Sequence, residues 1–315
     1  MIATAKNVPL MFRAQVEGRC QLQRIDPRRR GYEKQDVQIW TEEWIDKAEE
    51  HPPAFGSEVQ SHSYQITWRF INNGGQDDGI IRPVIGARGI PFYPGSSMKG
   101  IFRRAAQQLE QSGEIEAGSC DRLCGNPATF SPGNLRFHGG YPTSNQWTEG
   151  LVDIIHPQKS WQVQESNTRQ KSGGAFAQIS LYKPELNFGI SSTTPLLETE
   201  WDTIWKIWET ALSFGLGCRV AAGYGQVVPR QLSNMLFRCR IKGQGPASKC
   251  LDGSLEFRPN IFRAALRGHA LRIFGGLSSD RNAESLVDTL FGGIQKNEGK
   301  WGLLAMQFNE RSLDL

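Results

Sequence analysis

The chain has 315 residues, 38% of them hydrophobic, with 34 glycines, 16 prolines and a formal net charge of +4. That is enough for one large or two modest domains with packed cores and many tight turns. There is no apolar run of 18 residues, which argues against a membrane partner, and the first residues lack the apolar core of a secretory signal. The charge is uneven: residues 231–315 hold 12 Lys/Arg against 8 Asp/Glu, leaving 1–230 neutral. Solvated surface accounts for so small a difference, and charge alone does not point to nucleic acid. The six cysteines, at 20, 120, 124, 218, 239 and 250, form no C-x-x-C pair. Cys120 and Cys124 with His138 lack a fourth ligand, so zinc is not expected, and reduced thiols of a cytoplasmic protein are.

In chain order, residues 10–25 alternate as a strand. A polar insertion covers about 28–62, with a helix over 37–50. Residues 63–71 alternate again and predict a second strand. Residues 72–79 form a turn with two adjacent carboxylates, Asp77 and Asp78, and 80–85 return as an edge strand because of Pro83.

Residues 89–109 begin as a short apolar strand, turn at Pro94 and Gly95, and become a helix with Ser96 or Ser97 as N-cap. Ile101, Phe102, Ala105 and Leu109 give that helix one apolar face, and Gly113 stops it. Lys99, Arg103 and Arg104 lie on its polar side. A glycine turn, two hydroxyls, free backbone N–H groups and a lysine suit an anion, above all a phosphate. The spacing is not that of a Walker loop. By itself the stretch also reads as an ordinary capped helix.

Strands follow at 133–138, 151–155, 175–181 and 185–190, with a polar loop at 157–174. Trp201, Ile204, Trp205, Trp208 and Leu212 mark an amphipathic helix with core tryptophans. After it, 214–226 contains Gly215, Gly217, Gly223 and Gly225, which lets backbone approach a partner closely. Packing on the sheet and contact with a phosphate backbone, using Arg219 and Tyr224, are both open at this point. His62, His138, His156 and His269 stand alone in their stretches and read as structural.

The chain then begins again. Residues 237–243 parallel 12–18. Phe257 and the helix after it lie 165 residues beyond Phe92, and Leu290-Phe-Gly292 lies 167 beyond Leu123-Cys-Gly125. The strand at 302–308 parallels 133–137. This second copy has no counterpart of 175–228, so its sheet would be left with open edges unless another chain or further sequence completes it.

Pro94-Gly-Ser-Ser-Met-Lys-Gly-Ile-Phe-Arg103 resembles the P-G-S-S-x-K-G-x-x-R motif of the RAMP superfamily of CRISPR effector proteins. Residues 214–225 resemble that superfamily's glycine-rich loop. Residues 73–83 are similar to the segment carrying the cleaving aspartate in backbone subunits of type III complexes, and 151–190 look most like a Cmr-type terminal subunit. The resemblance implies an α+β fold with a ferredoxin-like (RRM-type) βαββαβ core: a complete RAMP domain at 1–230 and a partial second one at 231–315. It implies a cytoplasmic type III CRISPR subunit that binds guide (crRNA) and target RNA beside other effector subunits. Backbone contacts would come from Gly95, Ser96, Ser97, Lys99, Arg103, Arg104, Gly217, Arg219, Gly223 and Tyr224, and in the second copy from Arg258, Arg263 and Arg267. Asp77, with Asp78 as its alternate, would cleave target RNA with a divalent cation (Mg2+ or Mn2+). The alternative is a non-catalytic RNA-binding or capping subunit of the same complex.

Overall fold

The computed structural model describes residues 36–77, 80–86, 88–155, 176–227, 237, 248–249, 255–295, 298–300, 302–304 and 306. The strand expected at 10–25, the loop at 157–174, Asp78, His156, and all but the first residue of the strand at 237–243 lie outside these.

Helix α1 (Asp36–Lys47) precedes β1 (Gln60–Gln65), β2 (Arg69–Phe70) and the hairpin of β3 (Gly75–Asp77) with β4 (Ile80–Arg82). Helix α2 (Gly95–Gln111) leads to the short α3 (Ser119–Cys124), the tiny strands β5 (Gly125–Asn126) and β6 (Ser131–Pro132), and the long β7 (Leu135–Pro142). Then come β8 (Val152–Ile155), β9 (Phe176–Ile179), β10 (Leu181–Tyr182), β11 (Glu185–Ser192) and α4 (Glu198–Ser213). The later part holds β12 (Ser248–Lys249), β13 (Leu255–Glu256), α5 (Pro259–Leu277), α6 (Asp280–Phe291), β14 (Gly293–Gln295) and β15 (Glu298–Lys300). The architecture is α+β, with helices packed on small, mainly antiparallel sheets.

The main sheet runs β1–β11–β7, antiparallel throughout. Tyr93 bridges Gly140 on the free edge of β7, and Val227 bridges Ile66 just past the end of β1. Alternation along β11 turns Leu186, Phe188 and Ile190 inward, where they are fully buried. Helices α2 and α4 pack against each other and cover that side. Met98, Phe102, Ala105 and Leu109 of α2 recur at helical spacing and are buried, as are Ile204, Trp208 and Ala211 of α4. Burying one such large side chain contributes about 1.5–3 kcal/mol.

Three expectations change. The stretch around α1 is no polar appendage: Val37, Trp40 and Trp44 form a helical stripe in the core, and Trp44 packs on Trp147 at 5.0 Å between ring centroids. The strand expected at 63–71 is split: Ile66 N–H still bonds Pro184 O in register, Thr67 N–H turns to Gln226 O, and β2 then pairs with β10 one residue out of register. Strand β4 is not an edge: a second sheet runs β3–β4–β9–β8, and β4 pairs in parallel with β9. Pro83 follows the end of β4, so its missing N–H removes no bond from within that strand.

One contact recurs in the later part of the chain. In the first unit, Arg103 donates to the carbonyls of Cys124 and Gly125 at the end of α3. In the second, Arg263 donates to Phe291 O at the end of α6. A Cβ on Gly133 would lie 2.4 Å from the backbone of Leu123, Cys124 and Gly125; one on Gly302 would meet that of Leu290, Phe291 and Gly292 at 2.4–2.6 Å. These contacts set Ile261-Phe-Arg263 over Ile101-Phe-Arg103, 160 residues apart rather than 165. Helix α2 has eight residues before Arg103, while α5 has four before Arg263, so α5 lacks the first turn, where the serines sit.

A buried polar network joins the units. Arg69 forms a two-pronged ion pair with Glu256, which also accepts from Trp68 Nε1. Arg258 pairs with Asp153, which accepts from the Tyr224 hydroxyl. Arg69, Asp153, Glu256 and Arg258 are all at most 8% exposed.

Candidate functional site

The serine turn opens α2. Pro94 is the N-cap, no side chain caps the helix, and Met98 N–H bonds Pro94 O at 2.9 Å. Ser96 and Ser97 are therefore in the first helical turn rather than at the cap, and both are exposed. The N–H groups of 95–97 precede the first intrahelical bond and are oriented outward. Gly95 is required by packing: a Cβ there would lie 2.0 Å from Phe137 O of β7. Lys99 is half-buried, and Arg104 is exposed.

The glycine loop after α4 is stitched to the chain near β2. Cys218 N–H bonds Ile71 O, Gly225 N–H bonds Arg69 O, and Leu216 N–H bonds Gly225 O. Gly217 has φ +73, and a Cβ would meet Ile71 O at 2.1 Å, so only glycine fits. Gly217 is nevertheless exposed, beside Arg219, which is itself exposed and left-handed at φ +58. Gly223 faces Pro259 at the start of α5. Gly217, Gly223 and Gly225 all pack closely on neighbouring atoms, while Gly217 and Arg219 also keep exposed surface.

Three separate motif stretches converge on Ile71 and Asn72. The glycine loop hangs on Ile71 O. The buried Asn72 side chain donates to Phe92 O, two residues before the serine turn, and accepts from Val84 N–H beyond the aspartate hairpin. The Tyr93 hydroxyl faces the Gly217 backbone, with Arg104 and Cys218 close enough to affect its titration. Burial pushes Tyr93 up to about 12. Asn72 and Tyr93 were not singled out by motif reading. Their signal is positional, since each borders a glycine-bearing turn.

Other expected site residues have inward partners. Tyr224 is buried, and burial first and the Asp153 carboxylate second push its hydroxyl above the ordinary range. Arg258 is committed to Asp153, which directs its guanidinium into the join between units rather than outward. Arg103 and Arg263 hold helix-ending carbonyls, and burial holds Arg263 below its usual value. Arg267 pairs with Asp288 at 3.0 Å. Asp77 sits on β3 opposite Ile80 in a tight antiparallel hairpin.

Among the described residues, no three of His, Cys, Asp or Glu converge as metal ligands. The Cys120 and Cys124 thiols are buried, and burial pushes Cys124 up to about 12. His62 stacks on Trp205 at 3.8 Å, and His138 Nε2 is 2.8 Å from Ser191 Oγ. Trp201 lines an open groove of about 620 Å³ with Glu198, Asp202, Glu209 and Lys206, where carboxylates outnumber the one lysine. No described helix is long and apolar enough to cross a membrane.

No protein-family model and no curated protein matches the chain. Among solved structures it is similar to a chain in the cryo-EM structure of the type III-B Cmr-beta bound to cognate target RNA, at 19% identity and a TM-score of 0.40. That match covers 55% of this chain and 58% of the other, so it spans a little over half of that protein's length. It is also similar to the crystal structure of Cmr6 from Pyrococcus furiosus, at 13% identity and a TM-score of 0.35, over 56% of this chain and 100% of that one.

Proposed function

We propose that this chain is a subunit of a cytoplasmic type III CRISPR ribonucleoprotein that grips the backbone of guide RNA and presents it to target RNA. The observation that carries the reading is the meeting of the serine turn, the glycine loop and the base of the aspartate hairpin at Ile71 and Asn72. Outward N–H groups, the Ser96 and Ser97 hydroxyls, Lys99, Arg104 and Arg219 can hold phosphates without reading sequence. The strand order supports a ferredoxin-like core: Val227 beside β1, then β11, then β7, with α2 and α4 as the two crossing helices. The repeated Arg–carbonyl contact supports two RAMP units, 1–230 and 231–315, the second open to completion by another chain.

In the catalytic form of this proposal, the Asp77 carboxylate, or that of Asp78, takes the proton of a ribose 2′-OH as its oxygen attacks the neighbouring phosphate; the P–O5′ bond breaks, leaving a 2′,3′-cyclic phosphate and a 5′-hydroxyl that takes its proton from water. A divalent ion, if bound, would supply positive charge to offset the negative charge that develops on the phosphate. The described residues do not supply a ligand set for it, so no step here depends on one. The alternative, a non-catalytic binding and assembly subunit, is favoured by the tight pairing of Asp77 with Ile80, which makes that stretch a hairpin rather than an open loop.

The test is RNA affinity of the full chain at several salt concentrations. K99A/R104A/R219A should bind single-stranded RNA about tenfold or more weakly, with a flatter salt dependence. Unchanged affinity would overturn the proposal. In the assembled complex, D77A/D78A should abolish one cleavage position and leave binding intact. Cleavage unchanged at every position would leave the non-catalytic form.

A further inference from the structure

The face of the main sheet turned away from α2 and α4 carries a row of rings. Register places Tyr141 opposite Asn187, and Asn187 opposite Ser63, all on that outer face, while Leu186 and Phe188 point into the core. Phe92 stacks on Tyr141 at 5.5 Å and 13°. Tyr141 meets Phe55 edge-on at 5.9 Å, and Phe55 meets His138 at 6.1 Å. Phe55 lies over Gly189, whose missing side chain leaves it room. A bulge in β7–β11 at Gly189 and Ile190 turns His138 outward to Ser191. All four rings remain half-buried or exposed, and Arg136 is exposed at the His138 end.

We infer that this strip is a stacking platform for the unpaired bases of single-stranded RNA, an inference that rests on the RNA-binding reading above. The fully buried residues of β11, Leu186, Phe188 and Ile190, lie on the other face; on this one Tyr141 packs partly against the core and the rings keep accessible surface. Aromatic faces accept any base, and Asn187, Ser191 and His138 add donors and acceptors for base edges. The strip is also continuous with the phosphate site: Phe92 is three residues before Gly95, and Gly95 rests on the backbone of Phe137. A strand held by phosphates at the serine turn would therefore lay its bases across the sheet. In the groove lined by Glu198, Asp202, Glu209 and Lys206 carboxylates outnumber the one lysine, and it is lined by α4 rather than by this strip.

The experiment uses the full chain and a fluorescein-labelled oligouridine of roughly ten nucleotides. The variant F55L/Y141L/H138L keeps apolar bulk while removing three rings. Its affinity should fall about tenfold or more, as loss of base stacking predicts, with the salt dependence unchanged. K99A/R104A/R219A should instead flatten the salt dependence. Because the ring variant could also unfold, the wild-type chain is photocrosslinked to 4-thiouridine RNA and the adducts mapped. Adducts within 136–142 or at Phe55 support the platform. Adducts confined to the glycine loop and serine turn overturn it while leaving the backbone-gripping reading intact, as does wild-type affinity in a folded ring variant. A wild-type chain that binds no RNA overturns both.

Discussion

The two repeated units keep the same internal contact and differ in everything around it. In both, an arginine one helix away holds the carbonyl that ends a second helix, and a glycine lies flat on the turn that follows. Only the first unit has the extra helical turn bearing Ser96 and Ser97. Only in the first is the apolar helix face covered, with Ala105, Ala106 and Leu109 at 0–4% exposure. The matching positions in α5, Ala265, Leu266 and His269, are exposed. The shared contact is thus independent of the serine turn, since α5 makes it without one.

The strongest way to break the comparison is to cut the join. Arg258→Ala leaves the buried Asp153 without its cation and should cost about 3–5 kcal/mol. Calorimetry of the full chain should then show the second unit melting ahead of the first. One unchanged transition would mean the network does not couple them. Gly133→Ala and Gly302→Ala should each cost about 2–4 kcal/mol, because backbone must move in both copies. Chemical denaturation in which only one of the two matters would end the equivalence of the units.

Alkaline pH should act first on the first unit, where the described tyrosines lie. The Tyr93 hydroxyl, ordinarily near 10.0, is pushed up to about 12. Its contribution is complete below pH 10.0 and is lost as pH rises to about 12. That loss is roughly 2–3 kcal/mol. Tyr93→Phe should make this slope shallower by one proton, read as stability against pH, leaving the part due to Tyr224 and Cys124. Arg103→Ala and Arg263→Ala should each cost about 1–2 kcal/mol through the carbonyls they leave behind. A large inequality in melting shift between them would show that one contact is incidental. At the small end, Gly100→Ala and Gly268→Ala meet nothing within 4 Å and should stabilise their helices by about 0.5–1 kcal/mol. Either one destabilising the chain in a thermal melt would show that its helix face is not open.

Much was legible in sequence because it is local. The helices at 95–111 and 198–213 follow from apolar spacing, and that at 259–277 from its likeness to the first of them. The strands at 135–142, 152–155 and 185–192 follow from runs bounded by turn residues. The serine turn, the glycine loop and the repeat were visible because each is written in contiguous residues. The core role of Trp40 and Trp44 was not, since a short helix among polar residues reads as surface until something covers it.

What tertiary structure decided is where separate stretches meet. No local pattern tells an arginine whether it faces solvent or a buried carboxylate: Arg104 and Arg219 are exposed, while Arg258 is buried on Asp153, 105 residues away. Nor could spacing show that Asn72 and Tyr93 hold three motifs together, or that Phe55 lies over Gly189. Those depend on contacts across long loops, which fix the partner of a side chain only once the whole core has packed.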